Sequence, residues 1–143
     1  LFQMAFPGAP AIYYGDEIGV EGSKDPDSRR AFPWQETNWN LELRSWVKTL
    51  ITLRKRIPAL RRGEYVSLLA DDGLFAFARI LGEEKVVVAM NANARSRQVE
   101  VPCAALNWCD GRPVQNLVSR ARMNVTGASL KFTLPAWSGI WIG

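Results

Sequence analysis

The stretch YVSLLADDGLFAFARILGEEKVVVAMN, residues 65–91, decides the fold. It contains three runs rich in β-branched and aromatic residues, at residues 65–70, 74–81 and 85–91, and such residues are typical of β-strands. The segments between the runs combine glycine with acidic residues, which favours tight hairpin turns. The sequence therefore predicts three strands joined by hairpins.

More strands are predicted downstream, at residues 98–101, 114–118, 129–134 and 139–142. Turn residues recur roughly every 8–12 positions in this half of the chain, as is typical of an antiparallel sandwich. The pattern changes near Gly63, where we place a domain boundary. Residues 1–62 are predicted to form one unit, and residues 63–143 a β-sandwich domain.

Upstream of the boundary, residues 41–57 are predicted to form a helix with Asn40 as its N-cap. Pro58 disfavours helical geometry at the residue before it, so the helix is expected to end there. The basic residues Arg54-Lys55-Arg56 and Arg61-Arg62 are predicted to lie on the solvated face and last turn, where the helix dipole favours cations. The predicted apolar face consists of Leu43, Trp46, Val47, Leu50, Leu53 and Ile57.

Residues 9–14, APAIYY, form an apolar run that predicts a strand buried on both faces, as in a parallel sheet. The polar residues 15–40 are predicted to form a long loop, and loops of this length are often functional. Asp16 and Glu17 directly follow the strand, where barrel enzymes place their active sites. From these residues alone, a functional loop and a merely structural one are equally open.

Composition excludes several classes of function. The chain has no histidine, which rules out Ser-His-Asp and Cys-His catalysis within it. Cys103 and Cys109 are too few for a zinc site or a disulfide scaffold, and we interpret both as reduced packing residues, with a local disulfide as the alternative. No apolar run reaches the ~18 residues of a membrane span, and no basic stripe with interleaved aromatics indicates nucleic acid. We predict no metal, no cofactor, and neither a nucleic-acid nor a membrane partner.

Several phrases resemble a known family. Residues 8–19, GAPAIYYGDEIG, are similar to the strand-eight motif of the α-amylase superfamily, glycoside hydrolase family thirteen. Residues 25–34, DPDSRRAFPW, resemble its neopullulanase, cyclomaltodextrinase and maltogenic-amylase branch. Residues 50–55 and 58–63 are similar to the eighth barrel helix and the entry to the C-terminal domain, and residues 134–139 to that domain's final hairpin.

The resemblance implies a mainly β fold: the last strand, loop and helix of a (β/α)₈ barrel, then a Greek-key β-sandwich. It also implies a retaining mechanism at α-glucosidic bonds of malto-oligosaccharides, cyclodextrins or pullulan. The family's catalytic carboxylates lie upstream of the strand-eight motif, so we expect them before Leu1, assign no catalytic residue and expect this chain alone to be inactive. The alternatives are an autonomous carbohydrate-binding or interaction module, and part of a glucan-rearranging transferase.

The resemblance implies that Asp25 and Arg29 bind substrate. In the family's Asp-Pro-x-x-Arg phrase, these two residues hold glucose hydroxyls on the non-reducing side of the cleaved bond. A carboxylate accepts from adjacent hydroxyls, and a guanidinium donates through a planar fork. The competing interpretation is a surface ion pair without function. Tyr14 and Glu17 are expected to shape the pocket wall.

The tryptophans, the unpartnered barrel strand and the first residues of the chain each give a further expectation. Trp34, Trp39, Trp108, Trp137 and Trp141 are candidates for sugar stacking, but structural packing is the favoured interpretation, above all for Trp137 and Trp141, which flank the last turn. A barrel strand without neighbours leaves backbone groups unpaired, so self-association through residues 1–57 is predicted. The first residues resemble a cut helix rather than a signal peptide, and we expect a cytoplasmic protein.

Overall fold

The computed structural model describes the whole chain, Leu1 to Gly143, and two helices precede eight strands. The helices are α1 (Leu41–Arg56) and α2 (Pro58–Arg62). The strands are β1 (Glu64–Asp71), β2 (Leu74–Leu81), β3 (Glu84–Asn91), β4 (Arg97–Pro102), β5 (Pro113–Gln115), β6 (Arg122–Asn124), β7 (Ser129–Leu134) and β8 (Ser138–Ile142). Four 3₁₀ turns lie at Asp16–Ile18, Asp27–Arg29, Glu36–Asn38 and Ala104–Leu106. The prediction of a mainly β fold is confirmed.

All strand pairs are antiparallel. One four-stranded sheet has the order β1-β2-β3-β8, and two ribbons are formed by β4 with β7 and by β5 with β6. The chain leaves the large sheet after β3, builds both ribbons, and returns to pair β8 with β3. The two layers enclose one apolar core, as the predicted antiparallel sandwich requires.

This first core lies between the large sheet and the ribbons. Side chains alternate along a strand, so every second residue of β2 and β3 points inward. The core is built mainly from Ala76, Ala78, Val87, Ala89, Val99, Val101, Leu130 and Ile142, all buried. Both cysteines are free. Cys103 is buried in this core as predicted, but Cys109 is exposed, so the prediction that it packs is wrong.

A second core covers the opposite face of the large sheet. It combines side chains from the sheet, from both helices and from the first residues of the chain: Met4, Ala5, Leu50, Leu53, Ala59, Leu60, Phe77, Val88 and Trp141. Helix α1 begins as predicted, with Asn40 Oδ1 accepting from the backbone N of Leu43 at 2.9 Å. Only its second half is buried, since Trp46 remains 38% exposed. The chain therefore covers much of the predicted helix face by itself.

Arg79 of β2 reaches through this second core to backbone carbonyls. Its guanidinium donates to the carbonyl oxygens of Ala5 at 2.6 Å, Leu60 at 2.9 Å and Gly63 at 2.8 Å. The side chain is only 2% exposed, and burial together with the charge of Arg54 lowers its pKa. An arginine nonetheless stays protonated, so its charge is balanced by carbonyl dipoles.

Arg54 makes the same kind of contact from α1, and the prediction that it lies on the solvated face is wrong. It donates to the carbonyl oxygens of Met4 and Leu60, both at 2.8 Å, and of Gly8 at 2.6 Å. It is 8% exposed. The reason is that the first residues have no regular structure to satisfy their carbonyls, and a buried carbonyl requires a donor. Its neighbours Lys55 and Arg56 are exposed as predicted.

Residues 9–14 do not form the predicted strand. A strand in a parallel barrel takes its hydrogen bonds from a neighbour on each side, and this chain supplies neither neighbour. The segment runs over the surface, where Ile12 and Tyr13 are 37% and 52% exposed, and it ends in the 3₁₀ turn Asp16–Ile18. An apolar run alone therefore did not define the local structure.

Replacing Arg79 by Met is expected to lower the free energy of unfolding by about 3 kcal/mol, because buried carbonyls lose their donor. Methionine keeps an apolar stem of similar length, so the loss reports mainly on the hydrogen bonds. Urea unfolding measures the change, and Arg62→Met, at an exposed position of α2, serves as the control with a change below about 0.5 kcal/mol. Equal stability of the two variants would contradict a stabilising role for the hydrogen bonds from Arg79 to these carbonyls.

Candidate functional site

The sequence-predicted site residues all lie on the loop before α1, and that loop is anchored to the helix. Ile18 is buried, and its carbonyl accepts from the backbone N of Asn40, the N-cap of α1, at 3.0 Å. Gly15 and Gly19 flank the turn with φ values of +97° and +76°, a region that glycine enters without strain. The start of the loop is therefore anchored to the first turn of the helix.

Asp25 and Arg29, the predicted sugar-binding pair, contact each other. Nη2 of Arg29 lies 2.6 Å from Oδ1 and 2.8 Å from Oδ2 of Asp25, and both side chains are 65% exposed. Neither side chain makes another hydrogen bond within the chain, which leaves guanidinium donors and carboxylate lone pairs for a ligand. The geometry suits a hydroxyl clamp as well as a surface ion pair, so the role of this pair stays a prediction.

A second ion pair, which was not predicted from the sequence, stiffens the same turn. Arg30 donates through Nε and Nη2 to the two carboxylate oxygens of Asp27, at 2.6 and 2.9 Å, in a planar two-point contact. Asp27 also accepts from the backbone N of Ser23 at 2.7 Å. The Arg30 guanidinium and the Ser23 amide lower the pKa of Asp27. The acid–base spacing of three residues in DSRR is the signal that identifies this pair.

Tyr14 and Glu17, predicted to shape the pocket wall, occupy different positions. Tyr14 lines a surface pocket of about 240 Å³, and its hydroxyl donates to the carbonyl of Arg30 at 2.9 Å. Glu17 folds back on its own turn, where it accepts from the backbone N of Gly15 at 2.9 Å. The pocket is also lined by Tyr13, Asp16, Asp27 and Arg30. Asp25, Arg29 and Glu17 lie outside its lining, so the structure does not bring the four predicted residues into one cavity.

The tryptophans of the loop differ in exposure. The indole N of Trp39 donates to the carbonyl of Pro33 at 2.6 Å, and Arg44 lies over the Trp39 ring, 4.9 Å from its centroid. Trp34 is 82% exposed and touches Phe32 edge-on, with 4.8 Å between the ring centroids. Trp39 therefore supports the loop, whereas Trp34 leaves most of its surface open beside the DPDSRR phrase.

The tryptophans of the sandwich also divide. Trp108 and Trp141 are buried, at 4% and 0% exposure, whereas Trp137 is 72% exposed. The prediction that Trp141 packs is confirmed, and the same prediction for Trp137 is wrong. Trp137 occupies the turn between β7 and β8, outside the alternation that directs strand side chains inward.

Metal-ligating side chains do not gather in this chain: no group of three or more Cys, Asp or Glu is close enough to hold an ion. None of the helices has both the length and the apolar character that a bilayer crossing requires. The predicted absence of cofactors and the predicted compartment stay predictions.

Comparison with known proteins identifies the family. A family model described as the neopullulanase-like C-terminal domain matches residues 65–141. The chain belongs to this family. It is 37% identical to a cyclomaltodextrinase of Geobacillus thermopakistaniensis over 139 residues, and 37% identical to neopullulanase 2 of Thermoactinomyces vulgaris over 150 aligned residues. These alignments cover 96% and 100% of the chain but 23% and 25% of the relatives, so the chain spans about a quarter of their length.

Solved structures share the fold of this chain. Ttha1563 from Thermus thermophilus matches with a TM-score of 0.85 and 34% identity, over 98% of this chain and 29% of that chain. The native debranching enzyme of Nostoc punctiforme matches with a TM-score of 0.82 and 44% identity, over 99% of this chain and 29% of that chain. The resemblance to the α-amylase family is confirmed, and the chain is homologous to the C-terminal part of its glycoside hydrolases.

The Asp27 carboxyl is expected to titrate below the ordinary aspartate value of about 3.9, because its ionised form accepts from Arg30 and Ser23. Its folded-state pKa is lowered, so its support of the loop is present above pH ~4 and is lost as the pH falls through the folded value. Side-chain carboxyl NMR shifts measure the midpoint.

The variant Arg30→Gln should move the Asp27 midpoint up towards the ordinary value. Lys131→Gln, which removes the cation of an exposed ion pair with Glu100 on β4, should leave that midpoint unchanged. A midpoint that does not respond to Arg30→Gln would contradict the contact between Asp27 and Arg30.

Proposed function

We propose that this chain is a C-terminal fragment of a glycoside hydrolase that cleaves α-glucosidic bonds of malto-oligosaccharides, cyclodextrins or pullulan. The observation that carries the proposal is the 37% identity to a cyclomaltodextrinase across 96% of the chain. The proposed mechanism is the retaining one, in which one carboxylate acts as nucleophile and another as general acid/base. We place both carboxylates in the part of the enzyme that precedes this sequence.

In this proposal, residues 1–62 complete the catalytic barrel and residues 63–143 form the C-terminal β-sandwich. The start of the family match at Tyr65 supports the boundary. The second core supports a mechanical role for the sandwich, because Leu50 and Leu53 of α1 pack on its large sheet. The sandwich thus holds the helix to which the substrate-binding loop is anchored.

Asp25 and Arg29 bind glucose hydroxyls in the proposed enzyme. The carboxylate accepts and the guanidinium donates, and the 65% exposure of both side chains leaves them accessible to a sugar. The two-point contact between Asp27 and Arg30 fixes the intervening turn before substrate arrives. A preordered turn reduces the entropy lost on binding, which is the main benefit of rigidity in a binding loop.

Tyr14 and Glu17 support this loop in the proposal. The bond from the Tyr14 hydroxyl to the carbonyl of Arg30 spans 16 residues and ties the start of the loop to the DPDSRR turn. Glu17 caps the backbone N of Gly15 and fixes the direction in which the chain leaves residues 9–14. Both side chains thus act on the sugar through the loop backbone and take no part in its chemistry.

A chimera tests the proposal, in which this chain replaces the matching 23% of the Geobacillus cyclomaltodextrinase. We expect it to hydrolyse β-cyclodextrin. Asp25→Ala should lower kcat/KM by about 10- to 100-fold, the range for losing a charged hydrogen bond to substrate. The matched control is Glu100→Ala, which breaks a similarly exposed ion pair with Lys131 on the sandwich and should leave kcat/KM unchanged.

Two results would contradict this assignment. If Asp25→Ala and Glu100→Ala behave alike, the Asp25–Arg29 pair is only a surface ion pair. The chain alone should release no product from 4-nitrophenyl α-maltoside, because we place the catalytic carboxylates outside it. Activity that stays with the purified chain would show that this placement is wrong.

We also propose self-association through residues 1–57. The large apolar side chains that remain exposed in this region are Phe2, Phe6, Ile12, Tyr13, Tyr14, Trp34, Leu41 and Trp46. Since Leu50 and Leu53 are already covered by the sandwich, these side chains provide the contact surface.

Light scattering across a dilution series should show a mass above 16.0 kDa that falls towards that value on dilution. Ile12→Lys should lower the mass at every concentration, because it places a charge in the proposed contact. The matched control is Leu81→Lys, which changes an exposed apolar residue of the sandwich and should leave the association unchanged. A monomer at all concentrations would contradict self-association.

A further inference from the structure

Trp137 combines two features that folding alone does not favour. Its indole is 72% exposed, and its backbone φ is +52°, in the left-handed region that costs energy for any residue with a side chain. It belongs to neither apolar core. Glycine would relieve the strain and remove the exposed apolar surface. Local strain of this kind is characteristic of functional positions.

The turn that carries Trp137 is rigid. Asn91, only 2% exposed, donates through Nδ2 to the carbonyls of Leu134 at 3.2 Å and Pro135 at 2.8 Å, the residues that lead into the turn. The backbone N of Trp137 donates to the carbonyl of Asn93 at 3.1 Å. The backbone that carries the indole is therefore fixed at the end of the sandwich, as a binding platform requires.

Polar groups surround this turn. Asn93 Nδ2 donates to the carbonyl of Asp72 at 2.9 Å, so the turn between β1 and β2 lies at the same end of the sandwich. The Asp72 carboxylate is 73% exposed and lies 3.0 Å from Nη1 of Arg97. A docking site for a protein has an apolar centre of several residues. One exposed indole at an end of the sandwich that also carries amide, carboxylate and guanidinium groups instead suits a sugar, whose ring stacks while its hydroxyls form hydrogen bonds.

We propose that Trp137 forms a second α-glucan-binding site, on the β7–β8 turn rather than on the loop of Asp25 and Arg29. The indole face stacks on one glucose ring, and Asn93 and Asp72 contact its hydroxyls. The ligand class rests on the proposed function, because that proposal supplies the α-glucan. One stacked ring with few hydrogen bonds corresponds to a dissociation constant in the millimolar range.

Isothermal titration of the 143-residue chain with maltoheptaose tests the site, with migration through pullulan-containing native gels as a second readout. The chain should bind saturably and be retarded in the gel. Trp137→Ala should weaken binding at least about tenfold, as expected for loss of an aromatic anchor. Leu81→Ala removes an exposed apolar side chain at the β2–β3 turn and serves as the control, with unchanged binding.

Trp137→Gly separates binding from folding. Its Tm should stay within about 3 °C of wild type or rise, because the strain is relieved and little packing is lost, while glucan binding is lost. A fall in Tm beyond about 5 °C would show that Trp137 stabilises the fold, and would overturn the proposal. So would loss of binding in Trp34→Ala with binding retained in Trp137→Ala.

A wild-type chain that binds no glucan would also overturn this second site. That result leaves the proposed function untouched, because the chimera tests that function through the effect of Asp25→Ala on kcat/KM. The two proposals therefore fail by different measurements.

Discussion

Two arginines without a carboxylate partner hold this chain together. Arg54 and Arg79 both donate to the carbonyl of Leu60, and their other donors reach the first eight residues and Gly63. A buried guanidinium is costly unless its donors are used, and these carbonyls are costly unless a donor reaches them. Each side of the contact therefore requires the other to be in place. The N-terminal segment, both helices and β2 consequently depend on one set of hydrogen bonds.

The position of the candidate site follows from that constraint through α1. Arg54, Leu50 and Leu53 fix the second half of the helix on the large sheet. The first half is more exposed and begins after Asn40. The backbone N of Asn40 donates to the carbonyl of Ile18, which anchors the start of the loop. The exposed charged pairs of the DPDSRR turn are thus supported by a core in which they take no part. A rigid base under an exposed loop is the usual arrangement for binding residues.

Local signals predicted the parts of the fold that depend on local structure. The hairpin strands and α1 follow from alternation, turn residues and the Asn40 cap, and the spacing of Asp25 and Arg29 placed their side chains together. The strand predicted at residues 9–14 is absent because a strand needs partners that sequence periodicity does not reveal. The prediction of a solvated Arg54 is wrong because its acceptors, the carbonyls of Met4 and Gly8, lie 50 and 46 residues away. The prediction that Trp137 packs is wrong because its left-handed backbone belongs to a turn whose carbonyls are held by Asn91.

Trp137 and Trp141 occupy opposite environments in this sandwich. They stand four residues apart, yet Trp141 is fully buried in the second core and Trp137 projects from the end of the sheet. A strand side chain that faces a core must pack there, whereas a turn side chain can stay exposed on the surface. Under both proposals this chain carries two weak sugar sites, and a glucan repeats the same unit along its length, so a glucan that spans both sites would bind them together. The second contact is then intramolecular, and it raises the overall affinity without requiring either site to bind tightly.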